Sequence, residues 1–174
     1  MKTGRVVTIV ILFAVAGILA LFLFNRDNKD NTQSTPSNQS FDNQLEVNED
    51  KHAAFAIFTN GTFRIFTASM YHNLSEDVYI TAENPNVVIV KKDGITWSEF
   101  FETLPFELTY DCLTTGTKQT FCTNASQSLK FFINGKREDA ALGKEIKDRD
   151  KLLVTYGSET EDKLDYQFSQ IPTP

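Results

Sequence analysis

Residues 96–105, TWSEFFETLP, decide the fold, because they predict one short helix in a chain otherwise rich in strand patterns. Thr96 and Glu99 have the spacing of a capping box, in which each side chain binds the other residue's backbone N–H group. Pro105 cannot continue a helix and ends it. Four apolar residues share one helical face: Trp97, Phe100, Phe101 and Leu104. A helix this short is not stable alone, so we expect that face to form core by packing on a β-sheet.

A hairpin is predicted at the start of the folded region. Residues 53–59 and 62–68 have strand character, and Asn60-Gly61 lies between them. Asn-Gly favours a two-residue turn because both of its residues adopt positive φ readily. Such a turn pairs residues across the hairpin as follows: Phe58 with Phe63, and Ala56 with Ile65.

The remaining strands complete an α+β fold. They are predicted at residues 78–81, 86–92, 106–113, 118–122, 129–134 and 151–156. The first two of these form a second hairpin before the helix. The order hairpin, helix, hairpin, final strand is that of a β-grasp, the ubiquitin-like arrangement. The sequence therefore predicts a β-grasp-like domain with an additional N-terminal hairpin over residues 52–158, followed by a loosely attached polar tail at residues 159–174.

Several segments resemble those of a known group of proteins. They are TWSEFF at residues 96–101, Cys112 with Phe121-Cys122, LKFFINGK at residues 129–136, and residues 152–157. They resemble a family of uncharacterised membrane-anchored proteins from candidate-phylum bacteria and small-genome archaea. The C-terminal half is also similar to the β-grasp domain of cobalamin-carrier proteins. The resemblance covers about residues 52–157 and implies a fold and a location, since the family has no established activity.

The N-terminal region has the pattern of a membrane anchor. Residues 6–24 carry no charge and would form a helix about 28 Å long, close to the thickness of a bilayer's hydrocarbon core. Lys2 and Arg5 precede this run, so the N-terminus is expected in the cytoplasm and the rest outside. A cleaved signal peptide is the alternative, but the run is long and ends in Leu-Phe-Leu-Phe, a poor cleavage sequence. We expect a single-pass signal-anchor at residues 1–24 and a flexible linker at residues 25–51.

The charge of the chain excludes some partners. It has 17 basic and 23 acidic residues, a net charge of −6. Without residues 1–24 the counts are 15 and 23, a net charge of −8. Nucleic acid is therefore not an expected partner, because phosphate binding needs a basic surface.

The two cysteines, Cys112 and Cys122, are the clearest chemical feature. They lie on consecutive predicted strands joined around Gly116, so they can face each other across a hairpin. A disulfide usually has Cα atoms about 4.4–6.8 Å apart, close to the separation of neighbouring strands, and it persists outside the cytoplasm. A redox-active pair usually has C-x-x-C spacing at a helix start, so the spacing here favours a structural disulfide.

The candidates for a metal site are His52 and His72. The resemblance implies histidines at alternating strand positions and an His-x-His motif near the domain start. This chain departs from that pattern, because only His52 remains of it. The positions where the pattern would place histidines hold Ala54, Tyr79, Thr81, Ile89 and Lys91. We therefore expect no metal site and no cofactor, and interpret both histidines as solvated surface residues.

No catalytic constellation is present in the sequence, so we do not expect an enzyme. Glu99 and Glu102 could act as an acid–base pair, but the capping box and the solvent face already explain them. Asp148, Asp150 and the acidic run Glu159, Glu161 and Asp162 lack EF-hand spacing and are interpreted as solvated turns.

The function predicted is that of a membrane-anchored, extracytoplasmic binding or protein-interaction module. Its partners would be the lipid bilayer, through the N-terminal helix, and a cell-envelope protein or ligand. The alternative is a metal-handling or redox protein of the cell envelope with a degenerate histidine site. An exposed apolar patch rimmed by polar residues would favour the binding module.

Overall fold

The computed structural model describes residues 49–174. The predicted signal-anchor and nearly all of the predicted linker lie outside these residues. Within them, neither helix has the length and apolar character needed to cross a membrane.

The described part of the chain is an α+β domain in which strands predominate, as the sequence predicts. Its strands are β1 Lys51–Thr59, β2 Thr62–Phe63, β3 Val78–Tyr79, β4 Val87–Val90, β5 Glu107–Leu108, β6 Cys112–Thr114, β7 Thr120–Cys122, β8 Ser128–Ile133, β9 Lys136–Arg137 and β10 Lys151–Gly157. Its helices are α1 Trp97–Glu102 and α2 Glu161–Ser169, with single 3-10 turns at Ser69–Tyr71 and Ala141–Gly143.

A seven-stranded mixed sheet forms the centre of the domain. Its strand order is β3-β4-β1-β10-β8-β9, and β2 pairs with the end of β1. The central strands β1 and β10 run parallel, with Phe55 opposite Leu152 and Thr59 opposite Tyr156, whereas every other pair in this sheet is antiparallel. A separate three-stranded sheet has the order β5-β6-β7. Each strand of the central pair therefore has a neighbouring strand on both of its edges.

Helix α1 covers one face of the main sheet, as the sequence predicts. Thr96 Oγ1 accepts from the Glu99 N–H at 3.3 Å, and Glu99 Oε2 accepts from the Thr96 N–H at 2.7 Å, so the capping box is confirmed. The apolar face of the helix is buried, and the ring of Phe55 on β1 lies edge-on to those of Phe100 and Phe101 at 5.4 and 5.6 Å. The aromatic residues of the helix therefore form core, where aromatic pairs favour such tilted contacts.

Helix α2 covers the opposite face of the sheet, and here the prediction of a loosely attached tail is wrong. Phe168 contacts Phe132 of β8 with ring centroids 5.5 Å apart, and Ile171 is buried beyond the helix end. These residues join a second apolar cluster under the sheet: Ala54, Ala56, Phe58, Phe132, Leu153 and Leu164. The apolar positions 164, 168 and 171 recur at helical spacing among charged residues, which makes the segment amphipathic rather than uniformly polar.

The N-terminal hairpin is shorter than predicted. The Asn60-Gly61 turn pairs Phe58 with Phe63, as expected. The predicted pairing of Ala56 with Ile65 is wrong, because β2 ends at Phe63 and its last hydrogen bond to β1 is that of the Arg64 N–H to the Ile57 carbonyl. The second hairpin is confirmed, since β3 and β4 are antiparallel partners.

The predicted single strand at residues 106–113 is also wrong. It is divided into β5 and β6, which pair with each other around a turn. The turn is closed by the Thr109 N–H, which donates to the Cys112 carbonyl at 2.8 Å. A polar Thr-Tyr-Asp triplet separates the strands and explains the break.

Candidate binding cleft

A disulfide closes the hairpin formed by β6 and β7. Cys112 lies directly opposite Cys122 in the register, with the Cα atoms 4.1 Å apart, and the two sulfurs are bonded. The predicted pair is therefore confirmed. The loop that this disulfide closes includes four residues that line a cleft in the surface: Leu113, Thr115, Gly116 and Thr117.

The cleft lies between this disulfide-closed loop and the segment that follows β2. Its volume is about 330 Å³. The opposite wall comes from residues 63–66 and from the 3-10 turn, and Ile57 of β1 and Phe106 complete the lining. Apolar side chains predominate along it, and the threonines at positions 115 and 117 form part of the polar rim.

The inner wall of the cleft is fixed by aromatic packing. The ring of Phe66 is buried and lies 5.2 Å from that of Tyr71 and 5.8 Å from that of Phe106. His72 binds the Phe66 carbonyl oxygen through Nε2 at 2.8 Å, which ties the 3-10 turn to the segment after β2. This wall is therefore continuous with the core.

The outer wall exposes large apolar side chains. Ile65 is 68% exposed and Met70 is 51% exposed. Leu74 is a third exposed aliphatic residue in the same stretch of chain. Exposed apolar side chains scattered singly are ordinary, but a group of them beside a cleft is typical of an interaction site.

Arg64 supplies the charge at the cleft. Its Nε donates to Thr59 Oγ1 at 2.6 Å, and its Cζ lies 5.1 Å from the centroid of the Phe121 ring. Within residues 49–174 it forms no ion pair with a carboxylate, and it is the one charged residue among the described lining. A guanidinium held over an aromatic ring keeps its planar fork oriented.

The two histidines are not brought together into a metal site. His52 is exposed on β1, and its backbone N–H donates to Asp148 Oδ1 at 3.0 Å. His72 uses one ring nitrogen for the Phe66 carbonyl, as described above. In the described part of the chain, no three His, Cys, Asp or Glu side chains are grouped so that they could hold a metal ion.

A charged cluster lies away from the cleft, at the start of β1. Lys51 Nζ is 2.7 Å from Asp93 Oδ1 and 3.1 Å from Glu145 Oε1. Hydrogen bonds to Asp93 and Glu145 raise the pKa of Lys51. The Gly94 N–H, and then Lys51, hold the pKa of Glu145 below its usual range. The cluster ties the loop before α1 to the sheet.

Four of the carboxylates considered from the sequence, Glu99, Glu102, Asp150 and Glu159, have structural partners. Glu102 Oε1 accepts from the Ser98 hydroxyl at 2.9 Å, and Glu99 belongs to the capping box. Asp150 and Glu159 were interpreted as solvated, and this is wrong. Asp150 is buried and accepts from Asn134 Nδ2 at 2.8 Å, while Glu159 pairs with Lys130.

The cleft itself was missed by reasoning from the sequence. The predicted strand at residues 62–68 covers the segment after β2, because Ile65 and Phe66 follow an Asn-Gly turn. The lack of alternation in this segment is the signal that the strand ends early, since Phe63, Ile65 and Phe66 cannot all lie on one strand face.

Comparison of the chain with protein-family models, with curated proteins and with solved structures finds no match.

Proposed function

We propose that this protein is a membrane-anchored, extracytoplasmic binding module without enzymatic activity, and that the cleft beside the disulfide is its binding surface. The observation that carries the proposal is the cleft's apolar lining together with the exposed Ile65 and Met70. A volume of about 330 Å³ is within the range of ligand pockets, about 300–1,000 Å³.

The proposed fold is β-grasp-like. Support comes from the strand order β4-β1-β10-β8-β9 with a parallel central pair, and from α1, which connects the two hairpin regions across one sheet face. The hairpin of β1 and β2 extends this arrangement at one end of β1. Domains of this kind offer a sheet face or edge to partners, although fold alone does not define a function.

The proposed location rests on two features. Residues 6–24 have the length and composition of a bilayer-spanning helix. The disulfide between Cys112 and Cys122 is of the kind that forms and persists outside the cytoplasm. Both features fit a domain held at the outer surface of a membrane by its N-terminus.

The alternative of a metal-handling or redox protein has less support. The His72 ring is bound to the Phe66 carbonyl, and no group of three possible metal ligands that includes either histidine occurs in residues 49–174. The cysteines are joined to each other across a hairpin, which suits a structural role better than thiol chemistry.

Site-specific photo-crosslinking tests the binding surface. The photo-reactive amino acid p-benzoylphenylalanine replaces Met70 in the full-length chain, expressed in the cells that make it. We expect a discrete adduct after illumination, and we expect Ile65→Asp in the same chain to abolish it, because a buried carboxylate disrupts an apolar contact.

Tyr166 provides the matched control position. It is 61% exposed and lies on α2, across the sheet from α1. The same photo-reactive residue at position 166 should give no such adduct. Identical adducts from both positions, or none from position 70, would contradict the proposal.

A further inference from the structure

We infer that the occupant of the cleft is a peptide segment of a partner protein that runs beside residues 65–67, places apolar side chains in the cleft and offers a carboxylate to Arg64. This inference rests on the binding function proposed above and names the chemistry of the partner. Three features of the described residues support it: free backbone groups, an uncompensated charge and the size of the cleft.

The backbone after β2 offers hydrogen-bonding groups to an added strand. The Arg64 N–H donates inward to the Ile57 carbonyl at 2.8 Å. Strand addition uses N–H groups two residues apart, such as those of Ile65 and Thr67, because these face the same neighbouring strand when the chain is extended. Neither Ile65 nor Thr67 makes a backbone hydrogen bond to another residue of the described chain. Both residues are exposed, so a peptide can reach these groups.

The charge of Arg64 favours an occupant with a carboxylate. Residues 49–174 carry 13 basic and 19 acidic residues, so the domain as a whole repels anions. Arg64 nevertheless lacks an acidic partner there, and its hydrogen bond to Thr59 uses only Nε. The two terminal nitrogens remain for a carboxylate, which guanidinium binds in a bidentate manner. One acidic residue in the partner satisfies this geometry, whereas a strongly acidic segment would be repelled by the rest of the domain.

The size and composition of the cleft favour side chains of a peptide over a folded surface. A volume of about 330 Å³ is at the small end for ligand sites, which suits one or two apolar side chains. Met70 on the outer wall is unbranched and adapts its shape to what it contacts. Together with main-chain bonding at residues 65 and 67, this is the strand-addition mode of recognition, in which backbone bonds give affinity and pockets give specificity.

A phage library of randomised decapeptides tests the inference with the full-length chain purified in detergent. We expect selection to enrich peptides with apolar residues at alternate positions and one Asp or Glu. A synthetic peptide of the enriched sequence is then titrated calorimetrically. Arg64→Gln should weaken its binding by about tenfold or more, because the charge-assisted bond is lost.

Matched variants distinguish the loss of the contact between Arg64 and the peptide carboxylate from a general effect of removing a positive charge. Arg137→Gln is the control, because Arg137 is exposed on β9 and pairs with Asp139 at 2.8 Å, away from the cleft lining. It should leave the affinity unchanged. Replacing the acidic residue of the peptide by its amide should cost as much as Arg64→Gln, and the two changes together should cost no more than either alone.

The outcomes distinguish this inference from the proposed function. Failure of the library to enrich any sequence, enrichment without an acidic residue, or binding unaffected by Arg64→Gln would each overturn the inference. If decanoic acid binds in an Arg64-dependent manner while no peptide does, the occupant is an acyl chain and the inference is wrong. An adduct at position 70 in any of these cases leaves the binding function standing.

Discussion

Gly157 occupies a position where the surrounding atoms leave no space for a side chain. Its φ is +154°, and an added Cβ would collide with the carboxylate of Glu159. That carboxylate lies 2.9 Å from Lys130 Nζ, which also donates to the Gly157 carbonyl at 3.0 Å. The Lys130 and Glu159 side chains are only 11% and 4% exposed, so this ion pair is largely removed from water.

Gly157→Ala should therefore displace Glu159 and leave Lys130 without its partner. Breaking a buried pair costs about 3–5 kcal/mol, and we expect a loss of that size in the free energy of unfolding. Urea denaturation measures it. In a background where Lys130→Met and Glu159→Leu replace the pair, the cost of Gly157→Ala should fall to that of placing a side chain at this positive φ. An equal cost in both backgrounds would show that the ion pair is not the cause.

Glu99 makes the stability of α1 depend on pH. The Thr96 N–H, and then the Thr96 hydroxyl, hold the pKa of Glu99 below its usual range. A carboxyl group whose pKa is lower in the folded state stabilises the fold fully at pH values above its unfolded-state pKa. This stabilisation is lost as the pH falls through its folded-state pKa. The native protein should thus exceed Glu99→Gln in stability at pH 7, and the difference should disappear on acidification.

Thermal unfolding between pH 7 and pH 3 measures this difference. Glu83→Gln is the control, because Glu83 is exposed and has no hydrogen bond or ion pair within residues 49–174. Its stability should follow that of the native protein at every pH. A difference between native protein and Glu99→Gln that stays constant down to pH 3 would show that the capping carboxylate is not responsible.

At the scale of elements, α2 seals one face of the sheet. Ile171 is buried beyond its end, and Phe168 packs on Phe132. We expect Ile171→Ala to lower the free energy of unfolding by about 2–4 kcal/mol, the usual cost of such a truncation in a core. Tyr166→Ala, on the exposed side of the same helix, should change it by less than about 0.5 kcal/mol. Equal effects in urea denaturation would show that the helix is not seated on the sheet.

The disulfide hairpin forms one wall of the cleft. Replacing both Cys112 and Cys122 by Ser should destabilise the domain by about 2–3 kcal/mol, the value expected for a closed loop of this length. The native protein should not react with a thiol reagent unless it is first reduced. Labelling without reductant, or unchanged stability of the double variant, would contradict a structural role for this bond.

At the scale of the whole molecule, local signals predicted much of the fold. The capping box at Thr96, the Asn-Gly turn at residues 60–61 and the pairing of the cysteines each depend on residues close together in sequence. Such features are determined by local geometry and hydrogen bonding, which can be read from residue type and spacing.

Features that depend on distant contacts were not predictable in this way. The spacing of Leu164, Phe168 and Ile171 indicates an amphipathic segment, but not which surface it covers, and Glu159 cannot be placed beside Lys130 of β8 from sequence alone. The cleft forms where residues 64–71 lie beside the disulfide-closed loop, and no local sequence pattern predicts that these two segments are neighbours. Tertiary packing overrides local preference at all three places.

The parallel pairing of β1 with β10 controls when the domain can fold. These strands are the first and last of the sheet in sequence, and nearly the whole domain separates them. Contacts between distant segments form slowly, because the intervening loop must be closed first. A chain still under synthesis can pair β1 with β2 and β4, but it lacks the parallel partner of β1 until Lys151–Gly157 has been made. The centre of the sheet therefore assembles only after Gly157 has been made, and a chain that ends before β10 has no route to the native core.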